Sequence, residues 1–430
     1  MKKLFISFLL LGCSLTISFA QKNEVTTTEN ITRILNTLAS DEMKGRSALR
    51  PEIWKAADFI ASEFKAIGLS PYADKDFKQT FEVEQKKEKN QIVKIDGKSL
   101  PAEEFLMLGN PINPKNKSVI LSIGPDEDFS VRFREIMQND STEAKVQVDR
   151  KHAAFLARFK RIYSRDQITL KSEPAKSLKS KLFYIANAGE TPNETSQKTS
   201  TLDLKMFNVA AILPGKSKPD EYVIFSAHYD HIGVLPAVDQ DSIANGADDD
   251  ASGTTAMIEL ARYYKQLNNN ERTLIFVAFT AEEIGMFGSK YFSNNINPEK
   301  VVAMINIEMI GKDSKFGLNS LYVTGYDASN LGKLMQENVE GTQFTFHPDP
   351  YKTQNLFYRS DNAVLAALGV PAHTFSTSQI DKDQYYHTVK DEVSTLDIQN
   401  IKSSIEAIAK GAIGIVQGKQ TPTRVEKLRN

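Results

Sequence analysis

Residues 222–231 read Tyr222-Val223-Ile224-Phe225-Ser226-Ala227-His228-Tyr229-Asp230-His231. An apolar run, rich in β-branched and aromatic residues, ends abruptly in two histidines and a carboxylate. Such a run suits a strand buried on both faces. The same design recurs downstream, where residues 273–279 run into Thr280-Ala281-Glu282-Glu283 and residues 301–307 end at Glu308. Further apolar runs at 321–324 and 370–375 alternate with helical segments. The clearest helix follows Ser252, with Met257, Leu260, Ala261, Tyr264 and Leu267 on one face. Strands alternating with helices predict an α/β fold, with a mostly parallel central sheet covered by helices on both faces.

Toward the amino terminus, Ile31, Ile34, Leu35 and Leu38 fall at helical spacing, and a second helix is expected from about Pro51 to a carboxyl cap at Gly68. Between 85 and 205 the pattern changes to Lys-, Asn- and Ser-rich stretches. Short alternating segments such as 118–123 and an amphipathic helix near 152–162 interrupt them, which reads as an inserted smaller module, protease-associated-like in position, or a lid. The expected organisation is a signal peptide at 1–20, an amino-terminal helical part of the main domain at 21–84, the insertion at 85–205, the main domain at 206–420 and a polar tail at 421–430.

The chain has 430 residues, 41% of them hydrophobic, and 53 Lys and Arg against 54 Asp and Glu. It is long enough for a full-sized core, and its balanced charge gives no reason to expect a nucleic-acid partner or a basic membrane-binding surface. Met1-Lys2-Lys3, an apolar run to Ala20 and the ending Ser18-Phe19-Ala20 before Gln21 have the pattern of a cleavable secretory signal, so a periplasmic or extracellular location is expected. The one cysteine, Cys13, lies in Leu10-Leu11-Gly12-Cys13, similar to a bacterial lipoprotein cleavage box. Lipidation there is the alternative, and the one route to a membrane. The rest of the chain has no thiolate, so its chemistry must come from oxygen and nitrogen groups.

Those groups gather where strands end. Ligands of open α/β sheets collect at the carboxyl ends of strands, and three such ends here carry His or carboxylates. Between the first two lies Asn245-Gly246-Ala247-Asp248-Asp249-Asp250-Ala251-Ser252-Gly253. Three successive carboxylates repel one another unless a cation or a helix amino terminus offsets them. A capping cluster on the next helix would explain the triplet alone; beside His228, Glu283 and Glu308 it points to a divalent-metal site. Neutral imidazole with carboxylates suits zinc best, with manganese or cobalt as alternatives.

These ordered motifs resemble the two-zinc metallopeptidases, which include bacterial leucyl aminopeptidases, glutamate carboxypeptidase and, as a one-zinc branch, glutaminyl cyclase. The resemblance covers about 220–395 and extends to 30–75 through Leu38-Ala39-Ser40-Asp41-Glu42 and Gly45-Arg46. It implies that His228, Asp249 and Glu308 hold one metal and Asp249, Glu283 and His387 the other, with Asp249 bridging. It also implies that the Asp230 carboxylate orients His228 and that a cis peptide follows Asp249. Two positions depart from the family pattern: Glu308 stands where Asp is common, which bears on metal preference, and Asn362 stands where many relatives have His.

The chemistry expected is peptide hydrolysis by a hydroxide bridging two ions roughly 3.5 Å apart. Glu282 takes the water's proton and passes it to the leaving amine. A Tyr or Arg from 351–359, or Tyr386, helps the metals stabilise the oxyanion. The expected substrates are peptides with free amino termini; oligomeric state is not legible. Competing readings are a carboxypeptidase or dipeptidase, for which Arg359 could bind a terminal carboxylate, glutaminyl cyclase, and a non-catalytic binding protein with a peptidase fold. Of the other histidines, His231 is expected near substrate, supporting the site or at the surface, His373 in the core, and His152 and His347 on the surface.

Overall fold

A computed structural model describes residues 24–428, apart from residues 74, 114–117, 140, 164–165 and 174–178. The expected signal segment 1–20, with Cys13, lies outside the described residues. Two compact units emerge: one contains the chain up to Phe81 and from Met206 onward, the other Glu82–Lys205. The strands Lys78–Ile95 and Glu194–Leu213 carry the chain out of the first unit and back.

In the first unit, helices α1 (Thr28–Leu38) and α2 (Ile53–Ile67) precede the sheet. Its strands are β1 (Glu194–Leu213, of which the part from Met206 belongs here), β2 (Lys218–His228), β3 (Arg272–Phe279), β4 (Val301–Ile307), β5 (Ser320–Val323), β6 (Thr345–Pro348) and β7 (Ala372–Ser376). Their order across the sheet is β6-β5-β7-β4-β2-β3-β1. The central pairings of β2 with β3 and β4, and of β4 with β7, are parallel, whereas β1 joins β3 and β5 joins β7 antiparallel. The largely parallel α/β architecture is therefore present. β6 was not among the expected strands, because Thr345-Phe346-His347-Pro348 is too short and polar to show a period.

Alternation along β3 shows why residues 274–279 are all apolar. Leu274, Phe276 and Ala278 enter one core with residues of α1, α2, α3 (Gly253–Leu267) and α7 (Ile398–Gly411). Ile275, Val277 and Phe279 enter the opposite core with Phe292 of α4 (Phe287–Asn294) and Leu365 of α6 (Asn362–Ala367). Each of the larger side chains contributes about 1.5–3 kcal/mol by leaving water, so both faces favour the same strand register. α3 buries Met257, Leu260, Ala261 and Tyr264, but Leu267 is exposed because the helix ends there at a left-handed Asn268 cap. Gly68 caps α2 at φ 81°, where glycine avoids the cost of a left-handed residue. The tail is not purely polar in its packing, since Val425 is buried in the second core. α5 (Leu331–Asn338) adds Leu331 and Met335 to the first core.

The second unit has a four-stranded sheet in the order Phe105–Leu108, Lys181–Tyr184, Ala144–Val148, Val119–Ile123. The helices Phe129–Gln138 and Ala153–Tyr163 supply Phe129, Phe133 and Leu156 to its core. His152, expected at the surface, is buried here: its Nε2 lies 2.9 Å from the Gly124 carbonyl and its ring sits against Phe129. Among the described residues no helix is long and apolar enough to cross a membrane.

Candidate metal centre

Parallel strands β2, β3 and β4 end side by side, so the residues that follow them converge. His228 closes β2, Glu282 and Glu283 follow β3, and Glu308 follows β4. The loop before α3 brings in Asp249, and the loop after β7 brings in His387. Close packing fixes this loop: a Cβ at Gly253 would collide with the Ile307 carbonyl and the Asp250 carboxylate, so only glycine lets α3 start there. Three residues beside or within the site, Ala281, Met309 and His387, have left-handed backbone at φ 61°, 51° and 57°. Such conformations are costly for residues with a Cβ and persist where surrounding contacts impose them.

Two groups of donor atoms share Asp249. His228 Nε2 lies 3.2 Å from Asp249 Oδ1 and 3.5 Å from Glu308 Oε1. His387 Nε2 lies 3.2 Å from Asp249 Oδ2 and 3.0 Å from Glu283 Oε2. Donors about 2.0–2.1 Å from a common ion at tetrahedral angles stand about 3.3 Å apart, so both spacings suit a small divalent ion. Neither His228 Nε2 nor His387 Nε2 has a hydrogen-bond partner among the described residues, leaving both lone pairs for a ligand. The two oxygens of Asp249 face opposite groups, and the Asp249-Asp250 peptide is cis.

Burial alone would depress both imidazoles, but the adjacent carboxylates outweigh it and push them up, His387 to about 10. For Asp249 burial pushes up, yet the facing His228 and His387 hold it well below its usual range. The field at both ring nitrogens thus favours positive charge. Burial raises the nearby Glu282, the neighbouring carboxylates reinforcing it. Burial likewise raises Asp230 and Asp361 to about 7 each. A cluster so rich in buried carboxylates requires cations to offset the cost of desolvation.

The expected role of Asp230 needs correction. His228 Nδ1 meets the backbone carbonyl of Asp230 at 3.1 Å, whereas the nearer carboxylate oxygen stands at 3.8 Å, outside hydrogen-bond range. That carboxylate accepts the Glu282 and Glu283 N–H groups instead, at 3.1 and 3.4 Å. Asp230 therefore orients His228 through its main chain and the Glu-Glu turn through its side chain, because the carboxylate is turned toward the end of β3.

Several further residues shape the site. Arg46 is fully buried and donates to the carbonyls of Leu38, Tyr229, Asn245 and Gly246, tying the amino-terminal segment to two site loops. Asp250 accepts N–H groups from His228, Gly253 and Met309, joining three site segments. Asp391 accepts the N–H groups of Asp248 and Asp249. His231 is buried, with Nδ1 2.8 Å from Glu283 Oε1 and 3.7 Å from Asp249 Oδ2, so it faces the same carboxylates as His387. Its position directly after His228-Tyr229-Asp230 and the third Asp of the triplet were visible signals; Arg46 had only its place in Gly45-Arg46, and Asp391 carried no signal in the sequence. His373 is buried in the core as expected, between Thr324 O and Ser329 Oγ, and His347 is half-buried on Phe316 rather than free at the surface.

Comparisons with known proteins agree with this geometry. Residues 208–412 match the model of peptidase family M28. Aminopeptidase YwaD of Bacillus subtilis is 24% identical over 255 residues, covering 54% of this chain and 51% of that protein. Leucine aminopeptidase 1 of Ajellomyces dermatitidis is 28% identical over 209 residues, 45% of this chain and 52% of that protein. The chain thus spans about half the length of these curated relatives. Its fold is shared with an aminopeptidase from Aneurinibacillus sp. strain AM-1, at a TM-score of 0.55, 18% identity and coverage of 94% of this chain and 96% of that one. Residues 208–412, the stretch similar to peptidase family M28, carry β2 to β7 and all the converging donors.

Proposed function

We infer that this protein is an exported zinc-dependent exopeptidase that removes amino-terminal residues from peptides. The observation that carries the reading is Asp249, whose two oxygens face His228 and His387 from opposite sides, each pair completed by one further carboxylate. His228, Asp249 and Glu308 would hold one divalent ion and Asp249, Glu283 and His387 the other, with zinc best matched to imidazole and carboxylate donors. Bound there, two zinc ions supply Lewis-acid polarisation of a substrate carbonyl and acidification of a water.

The chain's own residues supply the remaining functions. Glu282, adjacent to Glu283 and held by its N–H on the Asp230 carboxylate, accepts the proton of the attacking water and returns it to the departing amine. Tyr386 stacks on His387 at 3.9 Å and lines the cavity beside Glu308. Burial and then the site's carboxylates raise its phenol, so it keeps its proton and can donate a hydrogen bond to the developing oxyanion. Export rests on the pattern of residues 1–20, with lipidation at Cys13 as the alternative.

The test is to incubate the purified chain with amino-blocked and unblocked peptides and weigh the products. Loss of single residues from free amino termini, abolished by a chelator and restored by zinc, is expected. Release from carboxyl termini would replace this reading with the carboxypeptidase alternative.

A further inference from the structure

Next to the donor cluster lies a cavity of about 60 Å³ lined by Glu308, Met309, Tyr322, Arg359, Ser378 and Tyr386, among others. Its size admits the end of a side chain. Its wall is largely apolar, with a few polar groups set into it, the usual make-up of a ligand pocket. Two donors in that wall are unpaired. Among the described residues the Arg359 guanidinium makes no ion pair or side-chain hydrogen bond, and the Ser378 hydroxyl is buried without a partner.

The surroundings hold the backbone of both, and the exposed Arg359 side chain is free to turn toward the cavity. Arg359 follows the short turn Leu356–Tyr358, its N–H bonded to the Leu356 carbonyl at 3.1 Å, and precedes the buried Ser360 and Asp361. The Ser378 N–H donates to Ser376 Oγ at 3.1 Å, and Ser376 Oγ donates to the Met309 carbonyl at 3.0 Å. A guanidinium left free beside a carboxylate-rich centre is available to a substrate anion, and its planar fork matches a carboxylate with two parallel hydrogen bonds. A buried hydroxyl with no partner costs free energy until an acceptor reaches it.

Resting on the aminopeptidase reading, we propose that this cavity takes the side-chain carboxylate of an amino-terminal Glu or Asp, with Arg359 and Ser378 as the specificity-determining pair. The carboxylate accepts hydrogen bonds from Arg359, while the carbonyl of the same residue reaches the donor cluster at Glu308. A neutral amide of the same shape presents an NH₂ to the guanidinium and loses the paired contact. The preference is therefore for Glu over Gln, two residues that differ in charge and hardly in size.

The experiment compares kcat/KM of the zinc-loaded full chain on the 4-nitroanilides of Glu, Gln and Leu, with N-acetyl-Ala-Glu as a blocked control. Wild type is expected to favour Glu over Gln by at least about tenfold, R359Q to bring that ratio near one, and S378A to lower it part way. Calorimetric titration of zinc-loaded Glu282→Gln protein with L-glutamate and L-glutamine reads the same preference without turnover. A Glu-to-Gln ratio near one in wild type, or a ratio that survives R359Q, overturns the proposal. Cleavage of all three anilides without charge preference overturns it while keeping the aminopeptidase reading. Arg359-dependent cleavage of N-acetyl-Ala-Glu alone overturns both and assigns Arg359 to a terminal carboxylate.

Discussion

The two halves of the donor cluster are mounted differently. His228 and Glu308 stand at the ends of neighbouring parallel strands, and His228 is almost fully enclosed. His387 stands on the loop between β7 and α7, its side chain 36% exposed, and it reaches Asp249 from the solvent side. The first half takes its geometry from sheet register, which the core holds on both faces. The second depends on local hydrogen bonds and on stacking with Tyr386. Such a division lets one ion be held by the fold while the other is tuned by a loop.

The largest effect is expected from Glu282→Gln, which belongs to neither half. Activity should fall by about 10³-fold while both ions stay bound, read by steady-state kinetics beside metal analysis of the dialysed protein. Loss of either ion in this variant would move Glu282 into the ligand set and break the comparison. Next in size is Arg46→Met. It strands four buried carbonyls around the strand-mounted half, so unfolding free energy should drop by about 3–5 kcal/mol in chemical denaturation of the metal-free protein.

A third prediction contrasts His228 with His373, a buried histidine of the same sheet that faces no carboxylates. Burial lowers His373 to about 4, the Thr324 carbonyl only partly opposing this, so the folded protein keeps it neutral. The unfolded chain takes up the proton first, near 6.5. The stability its neutral form contributes is therefore complete above about pH 6.5 and is lost as pH falls toward 4, about 3 kcal/mol in all. His373→Gln should lose that much less stability than wild type between pH 7.5 and 4, by denaturant titration.

The smallest effect sharpens the comparison most directly. His231 supports Glu283 and lies on the loop-mounted side, so His231→Gln should weaken one ion by about 10–100-fold and leave the other in place. Two-phase metal release on titration with a chelator would read it. Equal weakening of both ions would show that Asp249, which His231 also approaches, transmits the change across the bridge.

Strands and helices were legible wherever burial forced a period. The runs at 222–227, 273–279 and 301–307 are strands because both sheet faces are covered, and the apolar stripe after Ser252 is a helix because one face meets that core. β6 and the true exposure of Leu267 were not legible, since a four-residue partner strand and a helix end carry too little pattern. The ordered motifs named all six residues that now stand together: His228, Asp249, Glu282, Glu283, Glu308 and His387. A strand end followed at once by His or Glu leaves those side chains little choice of location.

What the sequence determined by itself was therefore the kind of chemistry and the frame that carries it, because apolar periodicity and charged strand ends are local properties. Tertiary structure decided which atoms meet. It turned the Asp230 carboxylate from His228 to the Glu282-Glu283 turn, buried Arg46 among four carbonyls, set His231 against Glu283 and left Arg359 unpaired beside Glu308. These contacts join residues up to 200 positions apart, as from Arg46 to Gly246. Hydrogen-bond direction across such separations follows from packing and has no periodic trace in the chain.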